Sequence, residues 1–159
     1  MNTPRISRLT ESDWRAFAEL RLQALHDSLG PHDPQFLQES SFTAAQWRRR
    51  LRAHAQFAAL VDDRPVGLIG AQRQHADSVY LYSLWLEPSA RGQGLGQLLV
   101  SVAVDWARAQ RVRTVTLRVN ATNTAARGVY EALGFGLAPT VGHEDGGPTA
   151  ELTMSLSVG

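Results

Sequence analysis

The sequence predicts a mixed α/β fold of the α+β-like kind, with a largely antiparallel first half. Three observations predict it. Apolar residues recur at helical spacing in the first third of the chain, then switch to short, near-continuous runs between Gln56 and Leu86. From Val79 to Val119, a strand-like run, a glycine-rich turn, a strongly amphipathic helix and a β-branched run follow one another, which is the pattern of a right-handed strand–helix–strand crossover. The length of 159 residues, 43% hydrophobic and 19% charged, fits a single domain over 1–159 whose core needs no disulfide or metal.

The elements follow in chain order. Ile6 to Leu9 alternates weakly and reads as a strand, after which Thr10 and Ser12 can cap a helix. Trp14, Phe17, Ala18, Leu22, Leu25 and Leu29 form one apolar helical face, which Gly30-Pro31 ends. His32 to Ser41 reads as a loop, with Asp33-Pro34 as a turn signal. Thr43 and Gln46 make a capping box for a second helix through Trp47 and Leu51, whose arginines 48–50 and Arg52 read as a solvated face. Gln56–Val61 and Val66–Ala71, joined by a polar turn at 62–65, form a hairpin, and Val79–Leu86 is a third strand. Leu95, Leu98, Leu99, Val102 and Trp106 mark the amphipathic helix, and Thr114–Val119 the β-branched strand. Ala126, Val129, Tyr130 and Leu133 define a last helix that Gly134 stops. Phe135–Val141 and Thr149–Leu156 read as closing strands around a polar loop at 142–148.

Composition removes several function classes. Sixteen basic and fifteen acidic side chains leave a formal charge of +1, so neither nucleic acid nor a polybasic grip on a membrane is expected as a partner. An alternative role for the 48–52 helix in duplex binding meets the same objection. Every basic residue is arginine, which excludes a Walker-type phosphate loop and Schiff-base chemistry on a lysine of the chain. Cysteine is absent, so thiolate nucleophiles and Cys-based zinc sites are excluded, and no His/Asp/Glu spacing points to a metal. There is neither a long apolar run nor a signal-peptide core, so a cytoplasmic protein is expected. The heavy use of Ala and Arg is in keeping with a GC-rich bacterial genome.

Arg91-Gly92-Gln93-Gly94-Leu95-Gly96 is the most informative segment. Alternate glycines let backbone approach a ligand closely, and the unpaired amides of a helix start suit a phosphate or pyrophosphate. The glycines can also serve only to make a tight strand-to-helix turn. The G-x-G-x-G spacing and the lack of an acid near Arg118–Asn120 fit a dinucleotide fingerprint poorly. Further on, Asn123 and Tyr130 lie two helical turns apart, near one face. Asn123 can cap the helix or reach a ligand across the sheet; Tyr130, taken alone, reads as a core aromatic.

Together these segments resemble the GNAT superfamily of N-acetyltransferases. Arg91, Gly94 and Gly96 fill the Q/R-x-x-G-x-G/A acetyl-CoA motif, and Asn123, Ala126, Tyr130, Gly134 and Phe135 match the family's second half in register. Leu84-Trp85-Leu86 followed by Glu87-Pro88 is similar to the segment before the family's pyrophosphate turn. The resemblance implies a GNAT-type central, mostly antiparallel sheet with a V-shaped split between the fourth and fifth strands, and helices on both faces. It implies acetyl-CoA as co-substrate. The backbone at Leu84, Trp85 and Leu86 would pair with the pantetheine arm, the amides of Gly92, Gln93, Gly94, Leu95, Gly96 and Gln97 would bind pyrophosphate, and Asn123 would contact the pantetheine part. Tyr130 is the implied catalytic residue, a hydrogen-bond donor to the departing thiolate. A strand amide near Leu86 would stabilise the oxyanion.

By the same resemblance, an amine acceptor attacks the thioester directly. The amine must lose a proton first, and the family's usual glutamate positions hold Tyr80 and Arg118 here. Glu87 is expected to point away from the site. His26, Asp27 and His32 read as surface or capping residues beside the acceptor pocket, His75 and Asp77 as hairpin-turn residues, and His143, Glu144 and Asp145 as a possible acidic rim. The acceptor is expected to be a small molecule such as an antibiotic, polyamine or amino-acid derivative. A protein lysine or N-terminus, or a non-catalytic acyl-CoA-binding role, are the alternatives. A homodimer is expected by analogy with the family.

Overall fold

The structure, a computed structural model, describes residues 3–138 and 151–159. The strands are β1 (Pro4–Leu9), β2 (Ala55–Val61), β3 (Arg64–His75), β4 (Ser78–Leu86), β5 (Thr114–Asn120), β6 (Gly136–Leu137) and β7 (Glu151–Ser157). The helices are α1 (Trp14–Leu29), α2 (Pro34–Ser40), α3 (Ala44–Ala53), α4 (Leu95–Ala109) and α5 (Thr124–Ala132). Single 3-10 turns at Glu11–Asp13 and Pro88–Ala90 lead into α1 and the glycine segment.

All seven strands join one sheet in the order β1-β2-β3-β4-β5-β7-β6. Every neighbouring pair is antiparallel except β4 and β5, which run parallel from Ser78↔Thr114 to Leu81↔Leu117. The parallel pair is the one that the α4 crossover joins, as the sequence predicts. The two terminal strands do not follow chain order, because β7 inserts between β5 and β6.

Helices cover both faces. On one, Phe57, Ile69, Val79, Leu81, Val115 and Leu117 of the sheet pack against Leu95, Leu99, Val100, Ala103 and Ala107 of α4 and Tyr130 of α5. On the other, Ala58, Leu68 and Trp85 pack against Phe17, Leu20 and Ala24 of α1 and Trp47 and Leu51 of α3. The alternation of side chains along each strand assigns them to these two layers.

Three expectations need correction. Residues 32–41 are not all loop: Pro34–Ser40 is a helix, capped by Asp33, whose Oδ2 accepts hydrogen bonds from the amides of Gln35 (2.9 Å) and Phe36 (3.3 Å). The Asp-Pro pair is a helix start with proline in the first turn rather than a free turn. On α4 the buried row runs Leu95, Leu99, Ala103, Ala107, while Leu98 is 44% exposed. The small residues, which carry a weak sequence signal, are the ones that let the helix lie close to the sheet. On α1, Leu20 and Ala24 are buried and Leu29 is exposed. The expected strand to Val141 is described only over Gly136–Leu137, and the loop bearing His143, Glu144 and Asp145 lies outside the described residues. Among the described residues, no helix is long and apolar enough to cross a membrane.

Candidate active site

The split begins on β4. Gly70 faces Tyr82 and Leu68 faces Trp85, so one extra residue sits on β4 between them. Ser83 is placed left-handed there, at φ 60°. Such a bulge bends its strand away from the regular ladder. Pairing with β5 stops at Leu81↔Leu117, just before the bulge, while pairing with β3 continues to Leu86. From Tyr82 to Leu86, one edge of β4 therefore has no strand partner among the described residues. The bulge also sorts the side chains: Leu81 and Leu84 pack on the α4 side, and Trp85 on the α1 side.

In the mouth of the split is a cavity of about 240 Å³ lined by Tyr82, Leu84, Arg118, Asn120, Asn123 and Tyr130. Tyr130 is 7% exposed and packs against Phe135. Burial, and secondarily the nearby Tyr80, push its phenol up to about 12. It therefore stays protonated at neutral pH, with a proton available to donate in a hydrogen bond. Asn123 Oδ1 accepts a hydrogen bond from the Ala126 amide at 3.1 Å, so the residue caps α5 and lines the cavity at once. Both alternatives for Asn123 are compatible, since the cap uses only the amide oxygen.

At the other end of the unpaired edge lies the glycine turn. Gly92 and Gly94 take φ of 78° and 83°, a region costly to residues with a Cβ, and nothing stands within 4 Å of where either Cβ would be. The first intrahelical bond of α4 runs from the Leu98 amide to the Gly94 carbonyl, leaving the amides of Leu95, Gly96 and Gln97 without helical partners. The Arg91 side chain is held in place: Nε donates to the Leu86 carbonyl and Nη2 to Asp27 Oδ2, both at 3.0 Å. Trp85 Nε1 donates to the same Asp27 oxygen at 2.9 Å. The Trp85 bond, and secondarily the Arg91 pair, hold the Asp27 carboxyl below its ordinary range. Asp27 thus ties α1 to the strand and the turn, a larger role than the surface one expected of it. The Trp85 ring lies on the α1 face, so only its backbone borders the split.

A second cavity, about 300 Å³, opens on the α1 side of β4 and shares Tyr82 and Ser83 with the first. Its walls carry Arg21 (α1), Gln35 and Glu39 (α2), Arg50 (α3), His54 at the C-terminus of α3 and Gln56 at the start of β2. Glu39 is 3% exposed. Its Oε1 accepts from Arg21 Nε (3.1 Å) and Arg50 Nη1 (2.7 Å), and its Oε2 from Arg21 Nη2 (3.3 Å) and Gln35 Nε2 (3.1 Å). Burial pushes this carboxyl up, but Arg21, with Gln35 and Arg50, outweighs burial and holds it below the ordinary glutamate range. Arg21 Nη1 also donates to Ser83 Oγ at 2.9 Å, which joins this ion cluster to the bulge.

Tyr82 occupies the boundary of the two cavities. Its ring lies over Gly70, where a Cβ would come within 2.5 Å of the ring carbons. Gln56 Nε2 donates to its hydroxyl at 2.8 Å, and the hydroxyl in turn meets His54 Nδ1 at 2.5 Å. With Gln56 as donor, the hydroxyl proton is directed to His54, which leaves Nδ1 as the acceptor nitrogen. Burial, then the charge of Arg50, lowers the His54 imidazole, so it is neutral at neutral pH. Burial raises the Tyr82 phenol.

None of Arg21, Glu39, Arg50, His54, Gln56 or Tyr82 stands out in the sequence as a site residue. Arg50, read there as part of a solvated face, instead belongs to this cavity, whereas Arg52 pairs with Glu11 near the surface. Of the positions considered as proton acceptors, Tyr80 stacks on Tyr82, and Arg118 stands 3.8 Å from Glu151. Glu87 leaves the site as expected: both its oxygens accept from Arg64, at 2.7 and 2.9 Å, and this pair, with Ser89, lowers its carboxyl. His26 packs edge-on to Phe36, and His32, His75 and Asp77 are exposed. Among the described residues, no group of three or more His, Asp and Glu is arranged to hold a metal ion.

Known proteins share this fold and stretches of this sequence. The chain is 37% identical over 73 residues to a peptidyl-lysine N-acetyltransferase, YjaB, of Salmonella typhimurium, covering 46% of this chain and 43% of that protein. It is 44% identical over 55 residues to a mycothiol acetyltransferase of Acidothermus cellulolyticus, covering 35% of this chain and 17% of that protein. The chain thus spans less than half the length of either of these relatives. The crystal structure of the PaiA N-acetyltransferase of Thermoplasma acidophilum in complex with coenzyme A superimposes with a TM-score of 0.73, covering 98% of this chain and 99% of that one at 16% identity. The sequence profile of the Acetyltransferase (GNAT) family matches residues 14–135, and on that match this chain belongs to the family.

Proposed function

We propose that residues 1–159 act as one domain, an acetyl-CoA-dependent N-acetyltransferase of the bacterial cytoplasm, which moves an acetyl group directly onto a primary amine of a small molecule. The observation that carries this reading is the meeting of two cavities at Tyr82 and Ser83, one reaching into the β4/β5 split and one into a polar chamber under α1–α3.

The residues present fit acetyl-CoA. Open space over Gly92 and Gly94, free amides at the start of α4 and an unpaired strand edge supply a phosphate cradle and a backbone to pair with an extended amide chain. In this reading the amides from Gly92 through Gln97 hold the pyrophosphate, the edge at Leu84, Trp85 and Leu86 holds the pantetheine, and Asn123 contacts that arm. Arg91 braces the turn from outside. When bound, acetyl-CoA supplies an acetyl thioester whose carbonyl carbon an amine can attack, with the sulfur as leaving group.

The chain's own groups do the rest. Tyr130, neutral and buried, offers its hydroxyl proton as a hydrogen bond to the sulfur as negative charge develops there. A β4 amide near Leu86 stabilises charge on the carbonyl oxygen. The amine proton passes to the Tyr82 oxygen as the Tyr82 hydroxyl proton moves to His54 Nδ1, along the contact already present between them. His54 takes the place of the carboxylate lacking at Tyr80 and Arg118. The N–C bond would form first and the C–S bond break second, so that the thiolate departs beside Tyr130 while the amine's proton resides on the imidazole.

Thiol release from acetyl-CoA, measured against a panel of primary amines, tests the reading. Amine-dependent release is expected. Coenzyme binding with release that no amine increases would show an acyl-CoA-binding module instead.

A further inference from the structure

The chamber under α1–α3 carries an excess of positive charge, and this bears on what it admits. Arg21 and Arg50 face it, against the single carboxylate of Glu39. All four hydrogen bonds to Glu39 come from groups already in the wall, two to each oxygen, so this carboxylate is not left over for an incoming ammonium. No other acid lines the cavity among the described residues. An acceptor of positive charge alone would therefore meet like charge without a partner, at short range and in partly buried surroundings where screening is weak.

Arg50 is the group with capacity to spare. Its Nη1 is bound to Glu39, and among the described residues its Nε and Nη2 make no hydrogen bond. The guanidinium is fixed over the rings of Phe42 and Trp47, with centroids 5.1 and 5.6 Å away. A planar, preoriented guanidinium with two unused donors recognises a carboxylate well. His54 caps the C-terminus of α3 one turn after Arg50, its amide bonded to the Arg50 carbonyl, so the proton acceptor and the free guanidinium are neighbours.

We propose that the acceptor is a small amine that also carries a carboxylate, an amino acid in the broad sense, with its carboxylate on Arg50 and its amine directed to Tyr82 at the split. This rests on the acetyltransferase reading above and narrows it. The cavity volume lies at the small end for ligand pockets, which suits a single amino acid rather than an aminoglycoside or a peptide. The surplus charge of the walls disfavours a polyamine.

The test compares matched acceptors on the full chain: a set of free amino acids, their methyl esters, the corresponding decarboxylated amines, spermidine and a lysine-containing peptide. The readouts are thiol release and, separately, calorimetric binding of acetyl-CoA. At least one amino acid should be acetylated with kcat/KM at least tenfold above its own ester and above spermidine. Arg50→Gln should narrow that acid-over-ester ratio at least tenfold, and Arg50→Lys should keep part of it. The comparison within the wild type needs no variant, so a poorly folding Arg50→Gln does not remove the test. An ester, polyamine or peptide used as well as the free acids overturns the inference. So does the absence of any acceptor while acetyl-CoA still binds, which leaves the cofactor site standing. Failure of acetyl-CoA to bind overturns the underlying reading itself.

Discussion

The Tyr82 hydroxyl and His54 Nδ1 stand 2.5 Å apart, across the floor of a chamber that meets the β4/β5 split at Tyr82 itself. The contact joins the one imidazole that lines either cavity among the described residues to the strand whose bulge opens the sheet. In the proposed reaction it supplies the proton acceptor, since Tyr80 and Arg118 hold the positions where the family's pattern places a glutamate.

Removing either partner should slow transfer. Tyr82→Phe and His54→Gln are each expected to lower kcat about 100-fold, within the range for loss of general base catalysis. The pH profile separates a chemical from a packing role. Arg21 and Glu39 also face this chamber, but burial, then the charge of Arg50, leaves His54 titrating below the ordinary histidine range. Wild-type kcat/KM should therefore fall as pH drops through that lowered value, and His54→Gln should lose this limb. The same shift has a consequence for stability. Below about pH 6.5 the unfolded chain binds a proton at this histidine that the folded chain does not, so stability falls with acidification over that window. Melting curves from pH 7.5 to 5 on wild type and His54→Gln check this.

Tyr130 should act late, on the leaving sulfur. A hydrogen bond to a developing charge contributes about 1.5–3 kcal/mol, so Tyr130→Phe should lower kcat by roughly 10- to 100-fold. The affinity for coenzyme A should change little. With its phenol raised to about 12, Tyr130 should contribute no limb to the profile below pH 9. Steady-state kinetics with calorimetry on the same preparation tests both statements.

Much of this was readable in the sequence, and the part that was not has a physical reason. The strand, glycine turn and helix over 79–109 depend on neighbours in the chain, as does the α5 segment from Asn123 to Phe135, and both stand where the spacing predicts. The polar chamber depends on six elements meeting, α1, α2, α3, β2, β3 and β4. Arg21, Glu39, Arg50 and His54 share no spacing that marks them as a group. Glu39 was further concealed because Asp33-Pro34 resembles a turn, although it starts a helix that buries this carboxylate. The bulge at Ser83 carries no signal either, since nothing about a serine there announces a left-handed backbone.

Glu39 is the structural keystone of the chamber. Arg21 has only 13% of its side chain exposed, and Glu39→Gln would leave it as a largely buried charge without its counterion. Unfolding stability should fall by about 3 kcal/mol, the range for breaking a buried pair by removing one partner. The folded-state carboxyl titrates below its unfolded value, so its contribution is present above the ordinary glutamate range and is lost as pH falls through the lowered one. Chemical denaturation at pH 7 and pH 3.5 should show the gap between wild type and Glu39→Gln shrinking at the lower pH.

The central claim is that the amides after β4 hold the diphosphate of coenzyme A, and calorimetric titration of coenzyme A into wild type and Gly94→Glu tests it most directly. A side chain at Gly94 would force an L residue into φ 83° and set a carboxylate where the phosphates are to bind. Wild type should bind coenzyme A, and the folded variant should bind it at least 100-fold more weakly. Equal affinity in the two proteins would contradict the account.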